Sequence, residues 1–356
     1  MEILLQSKIF KFIFFPISLI WRILYFLRRV FYDYGFFHQE YFQVPIISIG
    51  NLTFGGTGKT PFTLWLAKYL GESKNKKVMI LMRGYKGNLE NSHGILETGK
   101  KIHSDSKEYG DEALLFSRRL KNSCVVVGKK RAKNLKFYFE KVFPDVVLLD
   151  DGHQHIQLKR NLNIVLFDTL MPLEYYQVAP LGKMREGFSA LKDADVIILG
   201  RSDLSSSLEK ENLLQKIRPY LSPKIVIAEV GFRPNGFYNA SNELVLKLDQ
   251  VRNKKIIALA GVAGPKSFYK LLEDLGADVI VTETFPDHHY FKVQEIKTLI
   301  DYAKTEEALI VTTEKDIVRI NKVINDPLIL FLEVDMYFLK GEEETKKVIE
   351  KCLYTE

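Results

Sequence analysis

Residues Ile47 to Pro61 read ISIGNLTFGGTGKTP, and the fold is decided there. An apolar, β-branched run ends in a glycine-rich turn, which passes through Gly58, Lys59 and Thr60 into the helical pattern PFTLWLAKYL. Glycines free the backbone to point N–H groups at phosphate oxygens, and the helix N-terminus adds its positive dipole. Lys59 reaches the β and γ phosphates, and Thr60 offers a hydroxyl to magnesium. Pro61 suits the first turn of a helix, where a missing N–H costs little. The phosphate-binding set is therefore Thr53, Phe54, Gly55, Gly56, Thr57, Gly58, Lys59 and Thr60. The usual spacing asks for glycine where this chain has Thr53, so the order of strand, glycine turn, GKT and helix carries the assignment.

Outward from this element, short apolar runs alternate with helical patterns, as in a mainly parallel sheet flanked by helices. VPIISIG, KVMILMR, CVVVG, DVVLLD, NIVLFD and ADVIILG read as buried strands of a P-loop NTPase-like α/β domain over residues 36–222. Residues 223–251 read as a two-stranded linker, two extended runs in a hairpin around RPNG. Alternation resumes in KKIIALAGV, ADVIVTETF, ALIVTTEKD and PLILFLEVD, giving a second, smaller α/β domain over residues 252–356.

Two domains fit the length, since 356 residues exceed the size at which single cores stop growing. Cys124 and Cys352 are too few for a disulfide framework and lack metal-ligand spacing, which points to the reducing cytoplasm. A net charge of +7 suits an acidic partner. No nucleic-acid module accompanies it, so nucleic acid is not expected as a partner. No feature calls for an obligate protein partner.

Residues 1–35 narrow the choice. FIFFPISLIWRILYFL, Phe12 to Leu27, is apolar except for Ser18 and Arg22. In helical register Lys8, Lys11, Ser18, Arg22 and Arg29 form one narrow stripe, with Phe, Ile, Leu and Trp elsewhere. Pro16 should kink or split the helix. The charge-free run is short for a membrane span, so the segment reads as an amphipathic interfacial helix whose cations meet anionic lipid. The plainer alternative is a helix packed on the protein's own core.

DVVLLDDGHQHIQ is a buried strand ending in Asp150 and Asp151, the place from which such sheets deliver a carboxylate to magnesium beside the phosphates. Either aspartate can be the ligand, and a strand-end turn is the plainer alternative.

The chain resembles the tetraacyldisaccharide 4'-kinases (lipid A 4'-kinases) of Gram-negative bacteria. The resemblance rests on GNLTFGGTGKTP (50–61), RGYKG (83–87), GDEA (110–113), DDGHQH (150–155), PLGKMREG (180–187), AGVAGPKSF (260–268), FPDHHYF (285–291) and TTEKD (312–316). It implies transfer of the γ-phosphate of magnesium ATP to the 4'-hydroxyl of a lipid-linked disaccharide 1-phosphate at the cytoplasmic face of the inner membrane. It implies too that the site lies in a cleft between the domains.

Asp111 matches the family's GDE motif and is the candidate base for the sugar hydroxyl. An N-cap on the following helix is its ordinary alternative. The resemblance also assigns catalytic places to His155, His288 and His289, with a phosphate-side or orienting role for His155. Arg83, Lys86, Lys183 and Arg185 are candidates for gripping phosphate, although solvated surface charge is the default for any one of them. Gly187 and His153 depart from the family pattern, and the roles of TTEKD stay open. The rival reading is a membrane-associated P-loop ATPase switch or assembly factor.

Overall fold

The computed structural model describes residues 8–99, 106–262 and 264–354; expectations for residues 1–7, for the Lys8 side chain and for Ala263 lie outside them. The strands are β1 (Ile46–Asn51), β2 (Val78–Met82), β3 (Gly94–Glu97), β4 (Ser123–Val127), β5 (Val146–Asp150), β6 (Leu162–Asp168) and β7 (Val196–Gly200). They continue with β8 (Val226–Tyr238), β9 (Leu244–Leu246), β10 (Lys255–Ala260), β11 (Asp278–Thr284), β12 (Leu309–Thr313) and β13 (Ile329–Lys340). The helices that matter below are α1 (Lys8–Asp33), α2 (Lys59–Lys68), α3 (Asp111–Arg119), α4 (Arg131–Val142), α5 (Ser207–Ile217), α6 (Pro265–Asp274), α7 (Val293–Thr305), α8 (Glu314–Ile320) and α9 (Glu342–Tyr354).

All strands join one sheet in the order β11-β10-β12-β13-β8-β7-β6-β1-β5-β2-β4-β3, with β9 beside β8. Strands β8-β7-β6-β1-β5-β2-β4 are mutually parallel, and β3 closes the edge antiparallel to β4. Their unbroken Val/Ile/Leu runs follow from burial on both faces. Ile47 and Ile49 of β1 pack with Phe62 and Leu66 of α2, whereas Ile46 packs with Leu135 of α4 on the other face. The chain leaves β1 for β2 beyond β5, and later fills β6 and β7 on the opposite side, so β1 stands at the topological switch point where ligands bind.

The hairpin expected around RPNG does not form. Arg233 to Gly236 lie inside β8, which runs parallel to β7 over Val226–Glu229 and antiparallel to β13 thereafter. Pairing shifts register between Glu333 and Val334, opposite Gly236 and Pro234, because proline has no N–H to give the ladder. The chain turns instead at Asn239, whose Oδ1 accepts from the backbone N–H groups of Ser241 and Glu243, and returns as β9. The halves thus meet along two long strands, β8 and β13.

The helix α1 is continuous through Pro16, so the expected split does not occur. One lost hydrogen bond is small against the rest of a helix about 39 Å long. Two residues of its polar stripe face the protein: the Ser18 hydroxyl donates to the Val178 carbonyl at 2.8 Å, and Arg29 is buried against Glu186 and Asp193. Arg29 is therefore not available to lipid, in contrast to the expectation. The apolar side faces outward, with Phe12 84% and Ile20 59% exposed.

Candidate active site

The turn after β1 is held from the side by the Lys183–Arg185 segment. The Phe54 N–H donates to the Lys183 carbonyl at 2.7 Å, and the Arg185 N–H donates to the Leu52 carbonyl at 2.7 Å. Thr53 is buried and bridges to Met184, and the Arg185 guanidinium lies 5.3 Å from the centre of the Phe54 ring. Gly58 caps α2 with φ +84°, and a Cβ there would lie 2.5 Å from Cζ of Phe232 on β8. Both the left-handed backbone and the close approach require glycine.

Lys59 opens α2, and its ammonium lies 3.5 Å from Oδ1 of Asp151. Arg185 Nη1 donates to the other oxygen of Asp151 at 2.8 Å and to Oε1 of Gln154 at 3.0 Å. Burial pushes the Asp151 carboxyl up, but Lys59 and Arg185 outweigh it and hold its pKa below the usual range. Asp150, at the end of β5, is different. It accepts from the Thr63 hydroxyl at 3.1 Å, and burial together with the charges of Glu112 and Asp151 pushes its pKa up to about 7.

A buried carboxylate crowded by other carboxylates is a place where a cation's charge is favourable. Thr60 contacts Glu112, one of the carboxylates whose charge acts on Asp150, and Asp150 and the Thr60 hydroxyl are suitable oxygen donors for magnesium. Among the described residues no cluster of three or more His, Cys, Asp or Glu side chains could hold a metal ion. Magnesium commonly takes one or two protein ligands and completes its shell with phosphate and water, so this donor set fits.

Asp111 is the first residue of α3, and Gly110, not Asp111, is the N-cap. Its carboxylate meets Nδ1 of His288 at 2.9 Å. Glu112, beside it, accepts from the Thr60 hydroxyl at 3.2 Å and from Lys315 Nζ at 3.0 Å. Burial raises the Glu112 pKa, but Lys315, Lys59 and Thr60 outweigh it and hold it below the usual range. Asp111, Glu112, His288, Lys315 and Tyr85 line a cavity of about 70 Å³.

Other expected residues lie further out. Arg83 Nε donates to Glu90 at 2.6 Å, and the Lys86 ammonium stands 5.7 Å from the Tyr85 ring, which itself makes an edge contact with His288. The Lys183 ammonium stands 4.5 Å from the Tyr175 ring. His155 is largely buried, and burial with the charges of Arg131 and Arg28 pushes its pKa down to about 3, so its ring is neutral. His289 turns away from Asp111: its Nε2 pairs with Glu295 at 2.9 Å and its ring stacks on Phe285.

Glu112, Gln154, Lys315 and Arg319 make site contacts that no sequence motif assigned to them. The GDEA, DDGHQH and TTEKD blocks contain the first three. Arg319, one helical turn beyond TTEKD, carried no motif. Arg119 at the far end of α3 pairs with Glu314 at 2.9 Å, Glu333 at 3.2 Å and Asp335, tying α3 to α8 and β13.

The family model of tetraacyldisaccharide-1-P 4'-kinase matches residues 10–354. The chain belongs to this family. A tetraacyldisaccharide 4'-kinase of Desulfotalea psychrophila is 36% identical over 86% of this chain and 87% of its own. One of Chlorobaculum parvum is 32% identical over 99% of this chain and 97% of its own. Among solved structures, a crystal structure of LpxK from Aquifex aeolicus in complex with ATP is 29% identical, with a TM-score of 0.75 over 96% of this chain and 98% of its own. This likeness to a tetraacyldisaccharide 4'-kinase fold covers both halves of the sheet.

Proposed function

We propose that the protein transfers the γ-phosphoryl group of ATP to the 4'-hydroxyl of a tetraacyldisaccharide 1-phosphate, a lipid A precursor. Family membership over nearly the whole chain supports the reaction. The observation that carries the site is the Asp111–His288 pair, set one residue from the Glu112 that touches Thr60 of the phosphate loop.

The glycine turn and Lys59 hold the β and γ phosphates. The sugar oxygen attacks the γ-phosphorus, the bond to the β–γ bridging oxygen breaks, and ADP leaves with that electron pair. The hydroxyl proton passes to the Asp111 carboxylate, whose orientation His288 fixes. Magnesium, when bound, offsets charge on the β and γ oxygens, and Thr60 and Asp150 would hold it. Asp151, occupied by Lys59 and Arg185, acts by positioning both. Arg83, Lys86, Lys183 and Arg185 form the basic margin that receives substrate phosphate. His155 supports the turn after Asp151 as a neutral ring, and His289 braces the His288 loop.

Residues 36–222 and 252–356 act as the two domains, with the 223–251 segment and β13 between them. The outward apolar side of α1 enters the cytoplasmic leaflet of the inner membrane. What supports this is a helix docked through Ser18 and Arg29, with the Trp21 indole donating to the Arg185 carbonyl at 3.0 Å. That contact ties the membrane helix to the basic margin of the site.

The test is transfer of labelled γ-phosphate from ATP to purified tetraacyldisaccharide 1-phosphate in detergent micelles. Label on the lipid is expected; free phosphate with unlabelled lipid would replace the kinase by a nucleotide-driven switch.

A further inference from the structure

Arg319 lies on α8, and its side chain is 2% exposed. Its guanidinium joins three parts of the molecule. Nη1 donates to the His289 carbonyl at 2.8 Å, in the loop that carries His288. Nη2 donates to the Gly261 carbonyl at 3.3 Å and to Oδ1 of Asp316 at 2.6 Å. Asp316 is fully buried, and its other oxygen accepts from the Gly261 N–H at 3.0 Å and the Thr313 hydroxyl at 2.6 Å. The N–H on Nε is buried without a hydrogen bond and stands 3.5 Å from Oδ2 of Asp111, the oxygen that meets His288.

We infer that Arg319, held in register by Asp316, is a positioning residue for phosphoryl transfer: it fixes the Asp111 carboxylate and the His288 loop relative to each other. A planar fork with fixed donor directions suits this task, and a lysine ammonium cannot span the same partners. Asp111 belongs to one half of the sheet and His288 to the other, so their meeting depends on an element that grips both. Arg319 grips both. The closing hydrogen bond from Nε forms as substrate settles, because contacts of catalytic groups tighten in the reactive complex. This inference rests on the reading of Asp111 as the base.

The experiment uses the full chain in micelles with ATP and tetraacyldisaccharide 1-phosphate, and compares Arg319→Gln, Asp111→Asn and the double variant. Because Arg319→Gln leaves Asp316 as a buried unpaired charge, the series is repeated in Asp316→Asn. Melting curves and ATP titrations give the folded, nucleotide-competent fraction, to which kcat is referred.

Arg319→Gln is expected to lower kcat about 10- to 100-fold with KM for ATP nearly unchanged, as a misplacement of the base would. In the Asp111→Asn background the same change should cost less than about threefold, since residues acting as a unit are not additive. Full additivity, or a loss accounted for by the folded fraction, would overturn the role of Arg319. An unchanged kcat in Asp111→Asn alone would overturn the base assignment beneath it.

Discussion

Nδ1 of His288 lies 2.9 Å from Oδ2 of Asp111, a contact between residues 177 positions apart. The aspartate opens a helix beside the phosphate loop, and the histidine sits in a loop after β11 in the other half. This pair forms only when both halves are in place, and in the proposed mechanism it gives the second half of the chain a part in the proton transfer.

Asp111→Asn keeps the shape and removes the proposed proton acceptor, so kcat should fall by about 10²- to 10⁴-fold, the usual contribution of a general base. ATP affinity should hold within about twofold, because Lys59 and the glycine turn remain intact. Turnover with labelled ATP, beside calorimetric ATP binding, separates the two effects. Loss of both would make Asp111 a structural residue.

Gly58 is constrained twice, by its φ of +84° and by Phe232, whose Cζ would stand 2.5 Å from any Cβ added there. Gly58→Ala should therefore weaken ATP binding. Adding Phe232→Leu removes the clash yet leaves the left-handed strain of about 1–2 kcal/mol, so affinity should recover only in part. Full recovery would mean that the steric contact alone matters.

Arg29 is buried with Glu186 at 2.7 Å and Asp193 at 2.6 Å. Arg29→Met leaves two acids without their partner and should destabilise the fold by about 3–5 kcal/mol in urea unfolding. Pairing it with Glu186→Gln should return part of that loss. A neutral outcome would show that water reaches the pair and that the helix docks without it.

The fold was legible wherever burial on both faces wrote unbroken apolar runs, as in DVVLLD and NIVLFD. It was not legible at β8, where a strand crosses Pro234 and pairs with β7 at one end and β13 at the other. Proline and glycine there read as a turn, while the pairing that carries the strand past them is contributed by residues far along the chain. In the candidate site, the closeness of Lys59 to the end of β5 was readable, because the phosphate loop and that strand end are neighbours in such a sheet. Of two adjacent histidines, only tertiary structure selects His288 for Asp111 and directs His289 to Glu295. Arg319 was invisible for the same reason, since its partners come from three separate segments.

The orientation of α1 is the other feature that sequence left open. An amphipathic helix on a water-soluble surface normally turns its apolar side inward. Here Ser18, at 7% exposure, faces the body while Phe12, Ile13, Ile20 and Leu24 point outward. Each such side chain gains about 1.5–3 kcal/mol on leaving water, so the outward face is costly unless lipid covers it. Replacing Phe12, Ile13 and Ile20 with glutamate should abolish sedimentation with anionic vesicles. The body should keep its melting temperature, because these side chains contribute little to its packing. If the triple variant still binds vesicles as tightly, attraction by basic residues and not insertion of this face holds the protein at the membrane, and binding should then weaken steeply with added salt.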